Sequence, residues 1–213
     1  EAILEGRLWE YTLSKARLHP NLWDTNILFK EEEKFFSDGT PLFKQKAIFI
    51  TEHPDQHRPE ISRHVNTIIK NITLNPRIKI MVIIPFIKNE FLFNSEFIAQ
   101  IEQSVSNNLK IIQFFVMKPP YGIVPIEISD IYPTSQTVLS EKDEFTDKIT
   151  VKNMEKIISN FDIKNVVFLY PDEWKLRVIK QISKNHNIKL IKINTKKKEL
   201  EKFEEFQKYI ENI

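Results

Sequence analysis

Residues 111–122, Ile-Ile-Gln-Phe-Phe-Val-Met-Lys-Pro-Pro-Tyr-Gly, join a run of β-branched and aromatic residues to an abrupt proline–glycine turn. A short apolar run bounded by turn residues is typical of a buried strand. We therefore predict a strand at Ile111–Met117. The turn then lies at the carboxyl end of a parallel strand, which is where open α/β sheets usually place their sites.

Comparable apolar segments alternate with amphipathic helical patterns in both directions from this strand. Apolar strands separated by helices indicate parallel pairing with both faces covered. We therefore predict an α/β fold, a three-layer sandwich with a mostly parallel central sheet. Further strands are predicted at Ala47–Thr51, Lys79–Ile84, Asn165–Tyr170 and Lys189–Ile193, and helices at Pro59–Ile72, Ser95–Val105, Val151–Asn160, Asp172–Asn185 and Lys196–Ile213.

The N-terminal part has a different pattern. Residues 1–18 have amphipathic helical spacing that ends at His19-Pro20, and a second helix is predicted from about Thr25 to Phe36, ending near Asp38-Gly39. We predict a helical appendage at residues 1–45, which docks a partner, and an α/β domain at residues 46–213. Because the chain opens on Glu1 without methionine, we expect a processed or partial chain.

Composition narrows the function classes. The chain has 213 residues, of which 28% are charged and 41% hydrophobic, and no apolar run approaches the ~20 residues that span a bilayer. We expect a soluble protein without a membrane partner. The absence of cysteine excludes disulfides, thiolate nucleophiles and cysteine-rich zinc sites, and it fits a cytoplasmic location. A net charge of +2 does not by itself indicate a nucleic-acid binder.

Several clusters of polar residues have a structural and a functional interpretation. His53, His57 and His64 lie near Asp55 and Glu60, but their spacing is broken by prolines, so turn and capping roles are favoured over a zinc site. No metal site is predicted.

Charged pairs elsewhere have similarly simple explanations. Arg58-Pro59-Glu60 suits a helix start, although Arg58 could hold a phosphate. Asp172-Glu173 is better explained by the dipole of the helix that follows than by acid–base catalysis. Lys196-Lys197-Lys198 is more typical of a solvated surface than of an RNA contact, and the acidic residues after it neutralise its charge. The residues alone predict no catalytic group.

Three separated segments carry recognisable motifs. The first is Glu-Gly-Arg-Leu-Trp-Glu at 5–10 with Arg-Leu-His-Pro at 17–20, and the second is Ala-Ile-Phe-Ile-Thr at 47–51 with His-Arg-Pro-Glu at 57–60 and Arg63-His64. The third is Pro-Tyr-Gly-Ile-Val-Pro-Ile-Glu at 120–127 with Ile-Tyr-Pro at 131–133. In order and approximate spacing, these segments resemble the region that follows the catalytic barrel in the archaeal tRNA-guanine transglycosylase and archaeosine synthase family.

The same resemblance locates a degenerate synthase site. The family signature runs proline-cysteine, three residues, lysine-proline-tyrosine, two residues, serine, two residues, histidine. Only the proline and the serine are kept here, so the resemblance implies that this chain has no catalytic residue of its own. The corresponding positions are Pro85, Phe86, Glu90, Phe91, Leu92, Ser95 and Ile98.

The resemblance also implies partners. The transglycosylase reaction needs a barrel with a zinc ion bound mainly by cysteines, so zinc is expected in a catalytic partner, in cis or in trans, and no cofactor in this chain. We predict an accessory region or subunit that supports assembly and tRNA positioning in archaeosine formation, as part of a dimer or a hetero-oligomer. RNA contacts are predicted at Arg58, Arg63, Lys118 and Tyr121, and partner contacts at Leu8, Trp9 and Tyr11.

An alternative interpretation belongs to a different class. It is an active archaeosine-synthase-type transferase, acting on the modified base in tRNA, whose chemistry has moved to Lys88, Glu90 and Ser95. An open polar cleft beside Tyr121-Gly122 favours this enzyme, whereas packing of Phe86, Leu92 and Ile98 together favours the accessory role.

Overall fold

The structure is a computed structural model built around a five-stranded sheet. The residues that the structure describes are 1–24, 32–41, 48–49, 55, 57–85, 95–129, 137–138, 144–171, 177–193, 201 and 203–213. The strands of this sheet are β2 (Ile80–Pro85), β3 (Ile112–Lys118), β4 (Gly122–Pro125), β6 (Asn165–Pro171) and β7 (Ile188–Ile193). Their order in the sheet is β4-β3-β2-β6-β7. Strands β2, β3, β6 and β7 are parallel, and β4 runs antiparallel to β3 at one edge.

Helices cover both faces of the sheet. One layer contains α4 (Pro59–Arg63), a π-helical turn (His64–Ile68), α5 (Ile69–Asn71), α7 (Glu144–Asn160) and α8 (Arg177–Asn185). The opposite layer contains α6 (Ser95–Ser104) and α9 (Glu204–Glu211). The predicted α/β three-layer sandwich with a mostly parallel sheet is therefore confirmed.

The alternation of side chains along the strands explains why these sequences are apolar throughout. On β2, Met81 and Ile83 pack towards α7 and α8, whereas Ile80, Val82 and Ile84 pack towards α6 and α9. Each face of the sheet thus has its own hydrophobic core. A strand buried on both faces has no solvent-facing position that would select a polar residue.

The N-terminal segment is helical, as predicted, but in shorter pieces. Its helices are α1 (Leu8–Ala16), α2 (Pro20–Asp24) and α3 (Glu33–Asp38), with Gly39 as the C-cap of α3. The chain before α1 forms turns instead of a helix. Proline suits the first position of α2, because its missing N–H has no partner there in any helix.

Other differences from the sequence-based expectations concern pairing and helix length. The turn segment contains β4, and residues of the predicted polar loop form β5 (Thr137–Val138), which pairs in parallel with β1 (Ile48–Phe49). Helix α7 begins at Glu144, before the predicted start at Val151. The remaining parts of the predicted elements at Ala47–Thr51, Thr25–Phe36, Asp172–Asn185 and Lys196–Ile213 lie outside the described residues.

The proline–glycine turn connects β3 to β4 and packs against α7. The Pro119–Pro120 peptide bond is cis, and Asn153 of α7 donates a side-chain hydrogen bond to the carbonyl of Pro120 at 2.8 Å. Gly122 has φ +93°, and a Cβ at this position would lie 2.8 Å from the backbone nitrogen of Met154. Glycine is required here by backbone conformation and by close approach together.

The Gly122→Ala substitution tests this requirement. It forces a strained φ and drives a methyl group into the backbone of α7, so we expect a loss of about 2–4 kcal/mol in the free energy of unfolding. The measurement is urea denaturation followed by circular dichroism. The matched control is Gly39→Ala, whose Cβ would meet only the movable Leu8 Cδ2 at 2.9 Å. Equal stability of the two variants would contradict the account.

Candidate functional site

Arg58 is the centre of a cluster of charged side chains, formed with the buried Asp55 and Glu60 and with Glu10, whose side chain is 40% exposed. Arg58 lies just before α4, is 1% exposed, and donates from Nη1 to Asp55 at 3.3 Å and from Nε to Glu60 at 3.4 Å. Its Nη2 donates to Glu10 of α1. Asp55 in turn accepts a hydrogen bond from the indole of Trp9 at 2.9 Å. The cluster therefore ties α1 to the start of α4.

The charge state of Arg58 follows from these neighbours. Burial alone lowers the pKa of a guanidinium, but the negative charges of Glu60, Glu10 and Asp55 outweigh burial and raise the pKa of Arg58 above its ordinary value. Arg58 is therefore permanently charged. Three carboxylates surround this single positive charge, and the buried carboxylates of Asp55 and Glu60 depend on it.

An apolar contact reinforces the same junction. Trp9 packs edge-to-face on Phe36 of α3, with ring centroids 5.2 Å apart, and Leu13 completes a small core. Trp9 is 1% exposed, so its aromatic surface is used within this chain. The partner contact at Trp9 stays a prediction, and the contacts observed for its ring lie within this chain. Leu8 is half-buried against this core, whereas Tyr11 is 51% exposed on α1 and is contacted by Lys15.

Arg63 holds the end of α3 against α4. Its guanidinium donates to the carbonyl of Thr40 at 2.8 Å and to that of Pro41 at 3.1 Å, and also to Ser37. These are the carbonyls at and just beyond the C-terminus of α3, where cations and donors are favoured. Arg63 thus has an intramolecular role.

The turn residues are also enclosed. Tyr121 is 0% exposed and meets the ring of His64 edge-to-face at 5.7 Å, while Lys118 is 7% exposed and donates from Nζ to the carbonyl of Ser129 at 2.9 Å. The ring of His64 donates from Nε2 to the carbonyl of Ile123 at 3.1 Å. Burial lowers the pKa of His64 to about 4, and the hydrogen bond to Ile123 offsets only part of this effect.

The predicted RNA contacts stay a prediction, and the structure gives these four residues positions and partners within the chain. Arg58, Lys118 and Tyr121 are buried, and a phosphate outside the protein cannot reach a side chain that is enclosed by it. Arg63 is occupied by the C-terminal carbonyls of α3. The four residues are brought near α4 and the β3–β4 turn, but they serve to hold that region together.

Sequence reasoning missed the outer surface of the helical layer of α5, α7 and α8. Lysines are exposed there on all three helices, and we name this set the lysine face. The signal was present in the sequence, because Lys148, Lys152 and Lys156 follow one another at intervals of four residues, which places them on one side of a helix. The lysine face consists of Lys70, Lys148, Lys152, Lys156, Lys180 and Lys184.

The predicted degenerate synthase site follows the carboxyl end of β2. Pro85 is the last residue of β2, Ser95 is the first residue of α6, and Ile98 is half-buried on α6. The other positions, Phe86, Glu90, Phe91 and Leu92, lie outside the described residues, as does Lys88 of the alternative site.

Turn and capping roles are predicted for the histidine cluster, and the structure describes some of its residues but not all of them. His64 lies under Tyr121, and Asp55 and Glu60 face Arg58, while His53 lies outside the described residues. In the described ranges, no group of three or more His, Asp and Glu side chains could hold a metal ion. No helix in the part of the chain that is described is long and apolar enough to cross a membrane.

Comparison with known proteins gives a consistent set of relatives. A tRNA-guanine(15) transglycosylase from Methanobrevibacter smithii is 29% identical over 167 residues, which are 76% of this chain and 24% of that protein. The protein of the same name from Saccharolobus solfataricus is 27% identical over 167 residues, covering 78% of this chain and 32% of the relative. The protein of this name from Sulfolobus acidocaldarius is 27% identical over 164 residues, which are 76% of this chain and 30% of the relative.

These matches confirm the resemblance to the archaeal tRNA-guanine transglycosylases. The chain is similar to these proteins, and it spans about a quarter to a third of the length of the curated relatives it matches. The similarity therefore covers only part of each of these relatives. No family model and no solved structure matches the chain.

Replacement of Arg58 tests the importance of the charged cluster. Arg58→Met leaves the buried carboxylates of Asp55 and Glu60 without their cation, so we expect a loss of about 3–5 kcal/mol in the free energy of unfolding. The measurement is urea denaturation at neutral pH. The control is Arg7→Met, which removes only the exposed pair with Glu5 and should leave stability unchanged. A variant at position 58 as stable as this control would contradict the assigned role.

The buried His64 predicts a pH dependence of stability. Its pKa in the folded protein is about 4, below the ordinary 6.5, so the unfolded chain binds a proton that the folded protein does not. The His64 contribution is fully present above about pH 6.5 and is lost as the pH falls towards 4. We expect a loss of about 2 kcal/mol between pH 7 and pH 5 from this group.

Two measurements check the His64 prediction. The His64 ring resonances in an NMR titration should not shift between pH 7.5 and pH 5.5. Urea denaturation of His64→Gln should show a weaker loss of stability over the same range than the unsubstituted protein. A His64 ring that titrates near pH 6.5 would contradict its burial as a neutral side chain.

Proposed function

We propose that this chain is a non-catalytic accessory region or subunit of an archaeal tRNA-guanine transglycosylase, and that it supports assembly and tRNA positioning in archaeosine formation. The observation that carries the proposal is the partial match. About three quarters of the chain aligns with proteins named tRNA-guanine(15) transglycosylase, while covering only 24–32% of them. A catalytic barrel in cis or in trans, with its zinc, would supply the chemistry.

The described residues up to position 41, which we name the N-terminal unit, support a role in assembly. Most of the exposed large apolar side chains of the described residues lie in it, and clusters of exposed apolar residues mark interaction surfaces. The charged cluster around Arg58 fixes α1 against the α/β domain, so this surface is presented in one orientation. The exposed residues are Ile3, Leu4, Tyr11, Leu18, Leu22 and Phe35.

The polar side chains of the described turn region support a structural role of the domain. His64, Lys118 and Asn153 each hold backbone carbonyls of the β3–β4 segment or of the residues next to it. Side chains that donate hydrogen bonds to buried backbone carbonyls stabilise the turn. We therefore propose that the domain supplies a rigid support beside the catalytic barrel.

A reconstitution experiment tests the proposed function. The purified chain is mixed with the separately expressed catalytic barrel from the same source, and guanine exchange into tRNA is assayed, with each component alone as a control. We expect exchange to rise sharply only in the mixture, because the chain positions both the barrel and its tRNA. If the barrel works equally well alone and no complex forms, the proposal fails, and lysine transfer to the modified base becomes the next assay.

A surface variant tests the docking surface. Leu4→Glu combined with Leu18→Glu places charges on two side chains that are 92% and 73% exposed, so the fold should be kept. We expect the complex with the barrel to weaken by about tenfold or more, because charges must then be desolvated in the interface. The matched control is Leu109→Glu, an exposed leucine before β3. An equal effect of both changes would contradict docking through the N-terminal unit.

A further inference from the structure

The net charge of +2 conceals a strong difference between the two helical layers. Residues of α4, the π-helical turn, α5, α7 and α8 that are described as exposed are lysines or neutral polar residues, and none of them is acidic. On α6 and α9, the exposed charged residues are Glu102, Glu204, Glu205 and Glu211, with only Lys208 of opposite sign. We name these four glutamates the acidic face.

The lysine face is a continuous surface. Helix α7 packs between α5 and α8, and each of these helices precedes a strand of the parallel set, so all three run in the same direction. Lys148, Lys152 and Lys156 succeed one another about 6 Å apart along α7. Lys180 and Lys184 form a second row on α8, about one helix diameter away.

These lysines lie outside the hydrophobic cores, and within the fold Lys156 donates a hydrogen bond to Asn66 of the π-helical turn. The side of α7 that faces the sheet is formed by Val151, Met154 and Ile157, which are buried. Like charges four residues apart weaken a helix by a few tenths of a kcal/mol per pair. The partly buried Glu155 of α7 accepts a hydrogen bond from Asn185 of α8. The row of lysines on α7 therefore lowers the stability of this helix slightly, which is consistent with a function outside the fold.

We propose that the lysine face binds the phosphate backbone of a double-helical part of tRNA. This rests on the proposed function, because the relatives are named for a tRNA reaction. Rows of exposed lysines provide the sequence-independent attraction that dominates affinity for nucleic acid, and the neighbouring acidic residues Asp147 and Glu155 of α7 are only partly exposed. A duplex is favoured over a single strand because single-strand sites stack bases on aromatic side chains, and no exposed aromatic residue occurs on the described part of this face.

The acidic face gives the proposal an orientation. Its glutamates repel phosphate, so the chain should approach tRNA with α7 and α8 leading and α6 and α9 turned away. Opposite charges on two faces of a small domain steer its encounter with a polyanion. This orientation does not use Arg58, Arg63, Lys118 or Tyr121.

The test compares two triple variants with the same change in charge. Lys148→Gln, Lys152→Gln and Lys156→Gln remove the α7 row, whereas Lys79→Gln, Lys110→Gln and Lys208→Gln remove three exposed lysines outside the lysine face. Binding of a fluorescently labelled tRNA transcript is measured by anisotropy between 50 and 200 mM salt, together with urea denaturation to verify folding.

We expect the α7 variant to bind tRNA at least tenfold more weakly at low salt. The slope of log K against log salt should fall in magnitude by about two to three, because each lost phosphate contact reduces that slope by about one. The control variant should bind within about twofold of the unsubstituted chain. Equal losses in both variants would mean that net charge alone acts, and would overturn the assignment to α7.

Other outcomes separate this inference from the proposed function. If the α7 variant binds tRNA normally and the reconstituted exchange reaction still depends on the chain, the proposed function stands and the lysine face is not its RNA surface. If the unsubstituted chain binds neither tRNA nor the barrel, both fail. Binding to a 12-nucleotide single strand or to anionic vesicles as tight as binding to tRNA would overturn the choice of duplex RNA.

Discussion

The guanidinium of Arg58 is the interaction on which the rest of the structure depends. It binds Glu10, Asp55 and Glu60, which come from α1, the segment before α4, and α4 itself. Removing the charges of Arg58, Asp55 and Glu60 from water is costly, and the attraction of the guanidinium for the carboxylates offsets that cost only while Arg58 is present. The cluster therefore holds the N-terminal unit against the start of α4. The exposed apolar residues of the N-terminal unit are thereby held in a fixed position relative to the sheet.

The same region shows how residues that resemble a site can be part of the architecture. His64, Tyr121 and Gly122 meet where α4, α7 and the β3–β4 turn converge. The histidine is neutral and donates to a carbonyl, the tyrosine is enclosed, and the glycine allows two backbone segments to approach. These features determine the shape of this part of the domain. The charge difference between the helical layers is the basis for the orientation that we propose towards a polyanion.

The sequence predicted the parallel strands and the three layers because strands buried on both faces must be apolar throughout. It did not predict β4, since Gly122–Pro125 reads as a turn and its pairing with β3 is a tertiary feature. The Arg-Pro-Glu start of α4 was predicted, but the pairing of Arg58 with Glu10, 48 residues away, was not. The burial of Arg58 and Lys118 could not be deduced, because long cationic side chains are usually exposed.

The spacing of the lysines on α7 was visible in the sequence, yet its meaning depended on packing. Only the arrangement of α5, α7 and α8 side by side shows that the exposed lysines of three helices form one surface. Sequence reasoning favoured aromatic and basic residues near the turn, because turns at strand ends are frequent sites. Here that turn packs against a helix, and the charged surface lies on the outer side of the same layer.

The central claim is that this chain faces tRNA with one defined helical layer. The most direct measurement is ultraviolet cross-linking of 4-thiouridine-labelled tRNA to the chain in the presence of the catalytic barrel, with cross-linked peptides identified by mass spectrometry. The account predicts cross-links in peptides of α7 and α8 and none in α6 or α9. Cross-links concentrated on α6 and α9, or spread evenly over both layers, would contradict it.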